Sequence, residues 1–346
     1  MDMLQIHRFD GHVMRKCFEI IVRGLHLRGV AHQPASNAIA AAAGFDGLGV
    51  VLLHPGFLPR SAQGDTAVAL SDALARLGIM TVRIDMPGLG DSEGDLPADS
   101  FTFIDMVQEG GFAAAADECV EQIKHELGLQ RVIIGGHCGG AITGFYSLAL
   151  RQNPWLAGLF ALDPIFHLVR PANAPAPGAP VVEPKSDWKE RSELLRKEVR
   201  VAILNSRLGR PLQKTAQQIR NLIKRPASKP ASVEAAPPRN AQAASAAELP
   251  SETNFKLVEC VEQILSTDLQ LLFVTAEDPG KPAGFDYMNY LLARQPGRAT
   301  HERLVGTDHG FVSGNGKSRM IECVSSWITR EFGNRISARS SSVSAS

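Results

Sequence analysis

Residues 131–140 read RVIIGGHCGG, from Arg131 to Gly140. A β-branched run passes straight into a glycine-rich turn, and a helical pattern follows from about Gly140. The string Gly136-His137-Cys138-Gly139-Gly140 is the spacing of a nucleophile elbow, with cysteine at its centre. A residue held in such a sharp turn adopts a strained backbone, which crowds the positions two before and two after it. Glycine at 136 and 140 relieves that crowding. Cys138 then projects from the start of a helix, where the dipole favours a thiolate. The plainer alternative is a small buried cysteine in a glycine-rich turn. Its place between a strand and a helix argues against that.

Outward from this point the chain alternates short apolar runs with helical patterns, as in an α/β sheet. The predicted strands are Cys17–Val22, His26–Gln33, Val50–His54, Met80–Asp85, Arg131–Gly135 and Gly158–Asp163, then Leu269–Thr275 and Ala299–Val305. The first two form a hairpin, and the later ones are parallel with right-handed crossovers. Predicted helices cover Thr66–Leu77, Ala113–Leu127, Ala141–Leu150 and Gly316–Glu331. Between the sixth and seventh strands the rhythm stops. Residues 171–182 are too rich in proline for a sheet, residues 186–224 read as helices, and residues 226–252 are of low complexity. The predicted division is therefore 12–164 and 256–333 as one core, 165–255 as an inserted helical lid, and 334–346 as a flexible tail.

Of 346 residues, 36 are basic and 36 acidic, which excludes a broadly nucleic-acid-binding surface. No apolar run reaches the length of roughly 18–20 residues that crosses a bilayer. The first residues lack the layout of a secretion signal, so the expected location is cytoplasmic. The five cysteines (Cys17, Cys119, Cys138, Cys260, Cys323) are scattered and never spaced as CxxC. That pattern argues against a disulfide framework and a zinc site, and no metal or other cofactor is expected.

The chain resembles the α/β-hydrolases over about residues 12–165 and 255–333. Val50–Phe57 (VVLLHPGF) is similar to the strand and HG-type loop that supply an oxyanion hole, with Pro55 between His54 and Gly56 as a departure. Arg83–Glu93 (RIDMPGLGDSE) resembles the loop D-x-x-G-x-G-x-S, and the elbow itself follows. Leu271–Pro279 and Gly306–Phe311 resemble the segments bearing the acid and the histidine. The resemblance implies a mostly parallel eight-stranded sheet flanked by helices, with the lid after the sixth strand. It also implies a triad in the order nucleophile, acid, histidine: Cys138, Asp278 and His309. Asp163, at the end of the preceding strand, is the alternative acid, and Glu277 stands beside Asp278. His309 is preferred to His301 because it sits in a loop beyond a strand end. The implied oxyanion donors are the backbone N–H groups of Gly139 and of Phe57 or Leu58.

A thiolate attacks activated acyl groups, so the expected chemistry is hydrolysis or transfer of an acyl group from a small-molecule ester or thioester. The elbow is similar to those of dienelactone hydrolases and polyhydroxyalkanoate synthases, and the insertion to the lid of exosortase-associated hydrolases. Residues 185–229 hold thirteen Lys or Arg and four Asp or Glu, a net charge of +9. This is either a solvated helix face or a dock for an acyl carrier protein or coenzyme A. An acyltransferase, condensing or cyclising enzyme and a non-catalytic ligand-binding protein of the same fold are the alternative functions.

Overall fold

The computed structural model describes residues 2–9, 13–35, 44–54, 56–168, 248–278 and 284–333. Among them, nine strands form one sheet. They are β1 (Asp2–Phe9), β2 (Val13–Val22), β3 (Leu25–Pro34), β4 (Leu48–Leu53), β5 (Met80–Ile84), β6 (Arg131–His137), β7 (Leu156–Leu162), β8 (Gln270–Glu277) and β9 (Thr300–Val305). The order is β1-β2-β3-β5-β4-β6-β7-β8-β9. The pairs β1–β2, β2–β3 and β3–β5 are antiparallel. All later neighbours run parallel. Eight strands match the sequence expectation, and β1 is an addition. Its pairing with β2 shifts register between Met3 and Gln5. A bulge of that kind inserts one residue and spoils the alternation by which a strand is read.

Helices cover both faces of the sheet. On one side lie α1 (Thr66–Arg76) and α7 (Gly316–Phe332), burying Leu70, Leu74, Val324 and Trp327. On the other lie α2 (Ser100–Gln108), α3 (Ala113–Glu126), α4 (Gly139–Leu150), α5 (Phe255–Leu265) and α6 (Tyr287–Arg294), with Phe103, Val120, Phe145, Val261 and Leu291 in the core. Every residue of β4, LGVVLL, is buried, as expected of a parallel strand covered on both faces. From β4 the chain steps to β5 on one side, then crosses to β6 on the other. The carboxyl ends of β4 and β6 therefore flank a topological switch point, where open α/β sheets bind ligands.

The insertion leaves and re-enters this core at one place. His167 and Thr253 form an antiparallel bridge. Leu168 N–H donates to Glu252 C=O and Asn254 N–H donates to Phe166 C=O, both at 2.7 Å. The expected lid helices, the Pro-rich and low-complexity linkers, the basic run 185–229 and the tail from 334 lie outside the described residues.

Candidate active site

Cys138 caps α4 with φ 52° and ψ −115°, a backbone few L-residues adopt. It follows β6 directly, and its N–H donates to Leu162 C=O of β7 at 2.9 Å. The turn is tight enough to require its glycines. A Cβ on Gly136 would overlap the backbone of Gly140, and one on Gly140 would lie 2.5 Å from His54 O and 2.6 Å from Leu53 O.

His309 lies in the loop between β9 and α7. Asp308 shapes that loop by accepting the N–H groups of Val312 at 2.8 Å and Ser313 at 2.9 Å. Phe311, at φ 55° and 1% exposure, anchors it in the core. The His309 Nδ1–H donates to Asp163 Oδ2 at 2.6 Å. Burial disfavours a charged imidazole here, but the hydrogen bond with Asp163 and the influence of the neighbouring Cys138 outweigh it, and His309 is pushed up to about 10.

Asp163, the alternative acid in the sequence reading, thus occupies the place for which Asp278 was preferred. The reason is local to two strand ends. Asp163 follows β7 in a left-handed conformation, φ 46°, and donates its N–H to Val274 O at 2.7 Å. Its Oδ1 accepts the N–H of Ala276 in β8 at 3.0 Å, leaving Oδ2 for the histidine. Strand β8, expected to carry the acid, instead holds it. Asp278 lies one residue beyond the end of β8. His301 sits within β9, and its Nε2 shares a 2.9 Å hydrogen bond with Thr275 Oγ1.

His137 ends β6, directly before Cys138. Its Nε2–H donates to His309 C=O at 2.7 Å, and the two rings lie 4.8 Å apart. Burial and the neighbouring His309 charge push it down to about 4, so it stays neutral beside a charged partner.

The loop after β4 meets the start of α4. A Cβ on Gly139 would lie 3.3 Å from both Cα and N of Gly56. Gly56 N–H is already used, donating to His54 Nδ1 at 3.0 Å. The next amide along the loop is that of Phe57. Gly139 opens α4, where helix geometry supplies no intrahelical acceptor for its N–H. Among the described residues no group of three or more His, Cys, Asp or Glu is placed to hold a metal ion, and no helix is long and apolar enough to cross a membrane.

The sequence profile described as the alpha/beta hydrolase family matches residues 50–316. No curated protein matches the chain. Among solved structures, Est1E from Butyrivibrio proteoclasticus with bound ferulic acid is 14% identical, with a TM-score of 0.50 over 91% of this chain and 98% of its own. A cold-adapted esterase from an Arctic intertidal metagenomic library is also 14% identical, with a TM-score of 0.52 over 96% and 100%. At such identities the likeness is one of fold.

Proposed function

Because the chain belongs to the alpha/beta hydrolase family, we propose that it is a hydrolase that takes an acyl group from an ester or thioester onto Cys138 and passes it to water. The observation that carries this reading is the convergence of three groups. Cys138 stands in a strained elbow, His309 meets it, and Asp163 holds the far nitrogen of His309 at 2.6 Å.

The Cys138 sulfur attacks as the thiolate, the form in which sulfur is the nucleophile. Its electron pair forms the S–C bond while the carbonyl π pair moves to oxygen. That oxyanion is received by the N–H groups of Gly139 and Phe57. Collapse reforms the carbonyl and breaks the bond to the alkoxide or thiolate leaving group, which takes the proton from His309. The neutral imidazole then removes a proton from water as it attacks the acyl-thioenzyme. The second collapse releases the carboxylic acid and returns the Cys138 thiolate beside a protonated His309. Asp163 keeps the imidazole in one tautomer and stabilises its charged form. A thioester suits a thiolate nucleophile, and the net charge of +9 over residues 185–229 favours an anionic carrier or coenzyme A as the leaving group.

Intact-mass measurement after exposure to a panel of acyl thioesters and activated esters tests the proposal. An acyl adduct on Cys138 is expected, and Cys138→Ala should lose turnover by about 10³-fold or more while remaining folded. Near-normal turnover in a folded Cys138→Ala protein would falsify it.

A further inference from the structure

The loop that carries the Phe57 N–H is exposed in its middle, with Phe57 at 54% and Leu58 at 38% exposure. It is held at its two ends. At the start, Gly56 N–H donates to His54 Nδ1 at 3.0 Å. At the far end Arg60 is gripped through its backbone and its side chain. Its N–H donates to Asp85 Oδ1 at 2.7 Å, and its C=O accepts from Arg83 Nη1 at 3.0 Å. Its guanidinium reaches Asp85 Oδ2 and, at 2.7 Å, Asp91 Oδ2.

The grip is itself rooted in the core. Arg83 and Asp85 stand at the end of β5 and are 5% and 0% exposed. Arg83 Nε–H donates to His32 Nε2 at 3.0 Å, and His32 Nδ1–H donates to Asp72 Oδ1 at 2.7 Å. Asp72 also receives Arg15, through Nε at 3.0 Å and through Nη2. Three arginines balance three aspartates across this chain of contacts, with His32 neutral between them. Burial and the Arg83 charge push His32 down to about 4.

Stability alone gives no reason for such an assembly. Well-packed apolar side chains stabilise a core as well as buried ion pairs do, and often better. What apolar side chains cannot do is hold the N–H and the C=O of one loop residue at once. A second observation points the same way. Ala62, two residues past Arg60, sits at φ 59° and ψ 178°, a region almost reserved for glycine. Backbone strain of about 1–3 kcal/mol persists only where the surroundings over-determine it.

We infer that Asp85 and Arg83 are positioning residues for the oxyanion hole, fixing the backbone of Arg60 and through it the N–H of Phe57. The inference rests on the acyl transfer at Cys138 proposed above.

The test compares reactions of Cys138 that need the oxyanion hole with one that does not. Turnover of 4-nitrophenyl acetate needs it. So does reversible inhibition by acetaldehyde, which adds to the thiolate as a hemithioacetal. Alkylation by iodoacetamide displaces iodide and forms no oxyanion. In Asp85→Asn, kcat and acetaldehyde affinity should fall together by about 10²-fold, the scale of a misplaced or lost oxyanion donor. KM and the alkylation rate should stay within about twofold. Alkylation slowed as much as turnover, or a folded variant with unchanged kcat, overturns the inference. Arg60→Lys keeps the charge but cannot span Asp85 and Asp91, and it serves if Asp85→Asn does not fold. It should show the same split at about tenfold, and its absence has the same meaning. The wild type is read first. If Cys138 is not alkylated selectively there and Cys138→Ala keeps turnover, it is the acyl-transfer reading that fails.

Discussion

Asp163 reaches His309 from a left-handed backbone that aspartate tolerates better than most residues. With Oδ1 tied to Ala276, its remaining oxygen has one orientation toward the imidazole. Asp163→Asn should therefore lower kcat by about 10²-fold or more, and Asp278→Asn should cost far less, as steady-state kinetics on an activated ester will read. The reverse ranking would return the acid to Asp278. The His309 proton gives a second readout. Its folded pKa, about 10, lies above the ordinary 6.5, so the stability it contributes is complete below pH 6.5 and is lost as pH rises through 10. An NMR titration should find the ring still protonated at pH 8 in the wild type, with a lower midpoint in Asp163→Asn. Sequence order named both candidate acids and the histidine, because those follow strand ends that hydropathy marks. It preferred Asp278, whereas the geometry brings Asp163 to His309. The ranking depends on how β7 and β8 pair, Leu162 opposite Val274, which is a contact between distant segments.

Strand β4 and helix α4 meet where Gly140 passes the carbonyls of Leu53 and His54. A Cβ added at Gly140 would lie 2.5 Å and 2.6 Å from two backbone oxygens, neither able to swing aside as a side chain does. Gly140→Ala should lower both Tm and kcat, since the strand end that must yield also begins the Phe57 loop. Gly284→Ala is the control: among the described residues a Cβ there meets nothing within 4 Å, and its stability should change by no more than about 0.5 kcal/mol. Thermal melts and initial rates on the two variants decide, and equal effects would remove the steric argument. The long amphipathic helices α1, α3 and α7 were legible from their periodicity. Helices α2 and α6 were not, being short and rich in aromatic or β-branched residues. Each did carry a readable start: Asp99 accepts the N–H groups of Phe101 and Thr102, and Asp286 accepts that of Asn289.

Four histidines, His32, His54, His137 and His301, are each pushed down to about 4, chiefly by burial. An unfolded chain takes up protons at these positions near pH 6.5, whereas the folded one does not until about pH 4. Their contribution is therefore present above pH 6.5 and is lost as pH falls through 4. Denaturant midpoints measured at pH 7, 5.5 and 4.5 should decline in that order, and a flat series would contradict the burial argument. The architecture was legible because parallel strands covered on both faces read as continuous apolar runs. The chain of contacts from Arg15 to Asp91 was not, because its members come from separate segments and only folding brings their charges together. The His167–Thr253 bridge has a different kind of consequence. It places the departure and the return of the insertion side by side, so the core closes on itself whatever length of chain is strung between them. Each doubling of that length costs only about 0.6 kcal/mol of closure entropy. Residues 169–251 are thus a cassette in a socket: evolution can lengthen, shorten or exchange them while the strand ends bearing Cys138, Asp163 and His309 keep their positions.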